Sequence, residues 1–384
     1  MKRAMILMLV LVIALAGLPI RAQAVELNIG GKGAVLMDAA TGTVLYEKNA
    51  HEKLSPASVT KVMTMLLIME AIDSGKIRWS DSVTASEAAS AKGGSQIYLK
   101  VGESMTVEEL VKSIAVSSAN DAACAMAEHL AGSESAFVEL MNRRASELGM
   151  NDTHFVNCTG LDDAPEAKAH LTSAYDIAIM SRELLQNHPD IKKYTTIWMD
   201  TVRGGEFGLS KTNKLVRFYD GCTGLKTGYT SGAGFCLSAS AKREGMELIA
   251  VVLGCETSQE RFAACKAMLD YGFANFALVI PELSESHTVP VRLGVEQTVR
   301  VLPGQSVQLL LDKAQRNAVT TEVTLEETVS APVSKGQRLG TLTLRCRDQV
   351  LAQVPMVAEK AIPRLTFGDL FLLVLQAVVM GERT

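Results

Sequence analysis

The sequence predicts an α/β protein of the α+β type: an antiparallel sheet covered by helices, then a small all-β domain, then a terminal amphipathic helix. Three observations carry this. Strand-like runs open the chain and return after a long block of helical segments, so the two ends of the first part can pair in one sheet. Near Pro281 the pattern changes to short β-type runs at turn spacing. The stretch from Pro363 to Thr384 is an apolar block unlike either.

The chain has 384 residues, enough for two domains with cores of their own. Its 48% hydrophobic and 21% charged residues are those of a globular protein. Residues 1–24 have the pattern of a signal peptide: Lys2 and Arg3, an apolar run from Ala4 to Leu18, and Ala22-Gln23-Ala24 as a cleavage site. Its loss removes three cations and takes the formal net charge from −4 to −7. That mild acidity argues against nucleic-acid binding. The seven cysteines show no zinc-site spacing, and only six histidines are present, so no metal or cofactor is expected. Small buried hydrophobes explain the cysteines at least as well as disulfides do. The expected domains are 25–282, 283–360 and 361–384.

Gly33 to Asn49 reads as a hairpin around the turn residues Asp38 to Thr43. Ser55 and Pro56 read as the N-cap and first position of a helix, and Val59 to Ile72 is apolar nearly all round, which predicts burial. Asp73-Ser74-Gly75 ends it. Residues 80–105 read as loop and short strand. Thr106 and Glu109 form a capping box that opens a helix to about Ala115. Further helices are expected over Asp121 to Ala131, Ser135 to Leu148 and from Leu171 to about Leu185. Ser118 and Asn120 then fall on a short interhelical connection.

Strand-like runs return at Phe235 to Ala241 and Leu248 to Leu253, followed by a helical stretch at 258–278. Six β-type runs between Val289 and Met356 predict a sandwich or barrel. The final block, Phe367 to Met380, is too short to span a bilayer comfortably. It reads as a helix lying on a membrane surface.

The chemistry lies in three short motifs. Ser58 and Lys61 are three residues apart, on one helical face, where a buried lysine loses its proton more easily and can serve as a base. Alone, this pattern is no more than chance on a core helix. Ser118-x-Asn120 alone is no more than capping. Lys226-Thr227-Gly228 follows. The ordered set Ser58-x-x-Lys61, Ser118-x-Asn120, Lys226-Thr227-Gly228 resembles that of the penicillin-recognising serine enzymes.

More closely, the chain resembles the low-molecular-mass penicillin-binding proteins that are serine-type D-alanyl-D-alanine carboxypeptidases. Gly94 to Leu99, Ser118 to Ala123, Leu148 to Phe155 and Gly160-Leu161 also match that family. The resemblance implies a β-lactamase/transpeptidase-like catalytic domain. It implies Ser58 as nucleophile, Lys61 as base, Ser118 as proton relay to the leaving D-alanine and Asn120 as the residue orienting the substrate amide. Lys226 would supply positive field. Thr227 and Arg261 would hold the terminal carboxylate, and Gly228 and Tyr229 would belong to the substrate site. The oxyanion hole would be the backbone N–H groups of Ser58 and Tyr229; histidine often stands in the family where this chain has Tyr229. The implied partners are peptidoglycan pentapeptides, β-lactams as inhibitors and a membrane surface, outside the cytoplasm. Two rivals share the motifs: a class A β-lactamase, for which Asp162, Asp163 and Glu166 are deacylation candidates by order alone, and a sensor that acylates without turnover.

Overall fold

The computed structural model describes residues 27–281 and 286–380. Residues 1–24, expected to be the export signal, lie outside them. The described chain divides into two compact units, one ending at Phe276 and one beginning at Ala277.

In the first unit, β1 (Gly33–Asp38) and β2 (Val44–Lys48) form the expected hairpin. They join β3 (Cys222–Thr230), β4 (Gly234–Arg243) and β5 (Met246–Cys255) in one antiparallel sheet of order β2-β1-β5-β4-β3. Strands from the two ends of the unit therefore pair, as the segment order predicts. β1 and nearly all of β5 are buried, which requires cover on both faces.

Alternation along the strands supplies that cover. Val35, Met37, Ile249, Val251 and Leu253 join one large core with α1 (Lys61–Asp73), α2 (Val107–Ser117), α3 (Asn120–Ala131), α4 (Glu134–Glu147) and α5 (Ala174–Asn187). Residues of the opposite parity, Leu36 and Leu248, press on α6 (Ser258–Asn275). The approach is close: a Cβ at Gly272 would stand 2.4 Å from Leu248 and 3.1 Å from Leu36.

The capping box at Thr106 and Glu109 is present in full. Two local expectations differ. Ser55 does not cap the helix that carries Ser58; Pro56 takes the N-cap position and no side chain caps it. The first turn, Ala57–Thr60, is a 3-10 turn, Ala57 has φ +46°, and the α-helix proper starts at Lys61. Packing explains this. A Cβ on Gly160 would lie 1.8 Å from Ala57 O, and one on Gly228 would lie 2.5 Å from Pro56 O. The turn is pressed between two backbones, and tertiary contact overrides local capping preference. The second difference is Asn120, which opens α3 instead of lying on the connection before it.

The second unit holds β6 (His287–Arg292), β7 (Thr298–Pro303), β8 (Val319–Leu325), β9 (Val329–Ser330), β10 (Arg338–Cys346) and β11 (Gln349–Ala358). They form a sheet of order β8-β10-β11-β7-β6-β9, antiparallel except for the β6–β9 pair. Val289, Val299, Leu339, Leu342 and Met356 are fully buried in its core. The last helix, α7 (Phe367–Met380), exposes Phe367, Phe371, Leu372 and Val374. No helix among the described residues is long and apolar enough to cross a membrane. All seven cysteines are free thiols, buried except for the half-buried Cys222.

Candidate active site

Four segments deliver the three motifs to one place. The 3-10 turn before α1 carries Ser58, and the first residue of α1 is Lys61. Lys61 is fully buried, and its Nζ donates to Ser58 Oγ at 2.9 Å and to Thr159 O at 2.8 Å. Burial pulls its ammonium down to about 7, against an opposing pull from Asp121. A neutral amine within reach of a hydroxyl is a competent general base.

Ser118 is the C-cap of α2 in the left-handed conformation, φ +64°, a shape that turns the chain sharply into α3. Asn120, the first residue of α3, donates from Nδ2 to Gly93 O at 2.7 Å, while its buried Oδ1 has no protein partner. A buried amide oxygen without a partner is expensive unless a ligand N–H completes it. Behind it, Asp121 is fully buried and accepts from the backbone amides of Ile97, Leu99 and Ala122, which ties the 93–99 segment to α3.

β3, at the sheet edge, carries Lys226, Thr227, Gly228 and Tyr229. Lys226 donates to Thr227 O at 2.8 Å. Burial, then the like charges of Lys61, Lys211 and Arg261, hold it well below the usual lysine range. Lys61 and Lys226 repel one another, so Lys226 keeps its proton more readily when Lys61 is neutral. Thr227 Oγ1 donates to Thr212 Oγ1 at 2.7 Å. Gly228 is obligatory here: besides Pro56 O, a Cβ would meet Ala57 Cβ and Ser58 N, each at 3.1 Å. That approach brings the β3 backbone alongside the Ser58 amide. Tyr229 is 56% exposed and stacks on Phe235.

Arg261, on α6, is 8% exposed. Its Nη1 donates to Gly228 O at 2.8 Å and to Cys236 O at 3.3 Å. Its head group therefore braces β3 as well as adding charge. Asp162, Asp163 and Glu166, the acids in sequence order for a deacylating base, are all exposed.

Several contributors carry no motif. The Thr159 carbonyl receives Lys61, and its loop is held by Asn157 Oδ1, which accepts from Thr159 N and Gly160 N. His170 contacts Thr60 Oγ1 at 2.8 Å, and burial drives its imidazole down to about 4, so it stays neutral. Lys211 and Thr212 reach the site from the segment before β3. Of this wall, the sequence marks the Gly160-Leu161 pair, whose Leu161 carbonyl accepts from Asn157 Nδ2 at 2.9 Å. Among the described residues, one cluster elsewhere, Glu70, Glu183 and His188, brings metal-capable atoms within 4.8 Å of one another, but Arg144 already pairs with both glutamates.

Comparison with known proteins agrees with this geometry. The profile of the D-alanyl-D-alanine carboxypeptidase family matches residues 20–257. The chain belongs to that family. The profile described as "Penicillin-binding protein 5, C-terminal domain" matches residues 282–364. D-alanyl-D-alanine carboxypeptidase DacF of Bacillus subtilis is 45% identical over 349 residues, 89% of this chain and 88% of the relative. The solved structure of penicillin binding protein 5 from Haemophilus influenzae superposes with a TM-score of 0.73 at 29% identity, over 89% of this chain and all of that one. Penicillin-Binding Protein D2 of Listeria monocytogenes, solved in its ampicillin-bound form, is 30% identical with a TM-score of 0.59, over 65% of this chain and all of that one. The protein is a low-molecular-mass penicillin-binding protein and a serine D-alanyl-D-alanine carboxypeptidase. Neither the β-lactamase nor the sensor reading is favoured.

Proposed function

We propose that the enzyme removes the terminal D-alanine from peptidoglycan stem pentapeptides through an acyl-enzyme on Ser58. The observation that carries this is the Lys61 amine, fully buried and 2.9 Å from Ser58 Oγ. In this reading neutral Lys61 takes the Ser58 proton as Oγ attacks the penultimate D-alanine carbonyl. The N–H groups of Ser58 and Tyr229 receive the developing oxyanion. Ser118 passes a proton to the departing D-alanine amine, and water then releases the shortened stem. Asn120 Oδ1 accepts from the substrate amide. Thr227 reads the free carboxylate directly, within the field of Lys226. Arg261 supports that reading by holding the Gly228 carbonyl and adding charge. β-Lactams enter by the same acylation.

We further propose export by residues 1–24 and attachment of α7 to the outer face of the cytoplasmic membrane. The exposed Phe367, Phe371, Leu372 and Val374 support attachment.

The test is release of D-alanine from a D-Ala-D-Ala pentapeptide. Ser58→Ala should abolish both release and labelling by a fluorescent penicillin. Amidating the substrate's terminus should lower kcat/KM about tenfold or more, the cost of an unmade charged hydrogen bond. Equal rates on free and amidated peptides would remove the carboxylate reading. No release from any pentapeptide would remove the carboxypeptidase reading.

A further inference from the structure

Lys211 is a buried cation that no motif accounts for. It is 4% exposed, and its Nζ donates at 2.8 Å to the carbonyl of Ala115 rather than to an acid. Ala115 lies in the last turn of α2, where carbonyls lack helical partners. The next residue continues the bridge: Thr212 N donates to Val116 O at 3.3 Å, and Thr212 Oγ1 accepts from Thr227 Oγ1 at 2.7 Å. Asn213, fully buried, donates from Nδ2 to Gly224 O at 2.9 Å. Residues 211–213 thus tie the end of α2, which presents Ser118, to β3, which presents Lys226 and Thr227.

The bridge also carries charge. Lys226 feels three other cations, Lys61, Lys211 and Arg261. Asp121 is the acid felt by Lys61, and both its oxygens are engaged by backbone amides. The cluster is therefore short of negative charge, and the arriving ligand is what supplies it.

We propose that Lys211 is a positioning residue for carboxylate selection: it fixes the Ser118 helix end against Thr227 and adds its charge to the field in which the ligand's carboxylate settles. The ligands concerned are acyl-D-alanine termini with a free carboxylate and β-lactams that carry one. The inference rests on the carboxylate reading proposed above. Burial lowers the Lys211 ammonium to about 7, with Cys222 on β3 facing it, so its charge is partial at neutral pH and grows as an anion approaches.

The test uses penicillin acylation, which does not depend on peptide turnover. Second-order acylation rates are measured with benzylpenicillin and with its methyl ester, and the acid-to-ester ratio is compared among wild type, Lys211→Gln, Lys211→Met and Lys211→Arg. Glutamine retains a donor for the Ala115 carbonyl without the charge. The ratio should fall about three- to tenfold in Lys211→Gln and Lys211→Met, as expected for losing a partial charge near the site, and should be kept in Lys211→Arg. A purely structural role lowers both rates by one factor and leaves the ratio alone. An unchanged ratio in Lys211→Gln, or a ratio in Lys211→Arg as low as that of Lys211→Met, overturns the inference. A wild type indifferent to the ester removes carboxylate selection itself, and this inference with it.

Discussion

Replacing Lys61 by methionine should inactivate the enzyme and stabilise its fold. In the folded protein the Lys61 ammonium titrates near 7, against 10.5 when exposed, because its site is fully buried. Below pH 7 both states are protonated, and the folded state bears the whole penalty of about 5 kcal/mol. Between pH 7 and 10.5 the unfolded chain binds more protons than the folded one, so the penalty shrinks and stability rises with pH. Methionine fills the volume with no charge to bury. It also loses the bonds to Ser58 Oγ and Thr159 O, and the orphaned carbonyl costs about 1–3 kcal/mol. The net gain at pH 7 is on the order of 2 kcal/mol, or about 4–8 °C in Tm for a unit of this size. Calorimetric unfolding of both proteins at pH 7 and pH 10 reads it directly: the variant should melt higher at pH 7, and at pH 10, where the charge penalty has fallen to about 1 kcal/mol, it should melt no higher than wild type. Penicillin acylation should fall by about 10²–10⁴ with the base gone. A variant that melts below wild type at pH 7, with a gap that ignores pH, would refute the reasoning.

Other outcomes follow from the same geometry. With Lys61 near 7, the acylation rate should rise roughly tenfold between pH 6 and pH 8 as the neutral amine accumulates; a flat profile over that range would show that another group is the base. Gly228→Ala places a Cβ 2.5 Å from Pro56 O and 3.1 Å from Ser58 N. It should push β3 away from the Ser58 turn and cost about 10²–10³ in acylation, with circular dichroism showing the secondary structure kept and melting somewhat lowered; near-wild-type labelling would place the oxyanion donors elsewhere. Deleting residues 363–384 should free active enzyme from anionic and zwitterionic liposomes in a flotation assay. If the mature full-length protein already fails to float with them, α7 is not an anchor.

The sequence by itself determined the elements whose signals are local. The Thr106–Glu109 capping box and the turn at Asp38 to Thr43 rest on side chains within a few residues of the backbone they satisfy, and the Gly75 stop rests on the positive φ, +74°, that glycine adopts without strain. Burial of α1 was legible because no face of it is polar. The order of strand, helix and strand segments was enough to pair the ends of the first unit in one sheet. The three motifs named the chemistry because their residue types are what acyl transfer by a serine requires.

The tertiary structure decided what depends on contacts between distant segments. The Ser58 turn is 3-10 and uncapped because Gly160 and Gly228 press upon it, a constraint absent from residues 55–61 themselves. The Lys226 motif became the edge strand β3 only through its pairing with β4. Thr159 and Gly93 serve the site through carbonyl oxygens, which every residue has, so no side-chain pattern announces them. No motif in the sequence marks Lys211. Only the fold removes it from water and sets it against the end of α2, because burial is a property of the neighbours a residue acquires and not of the residue.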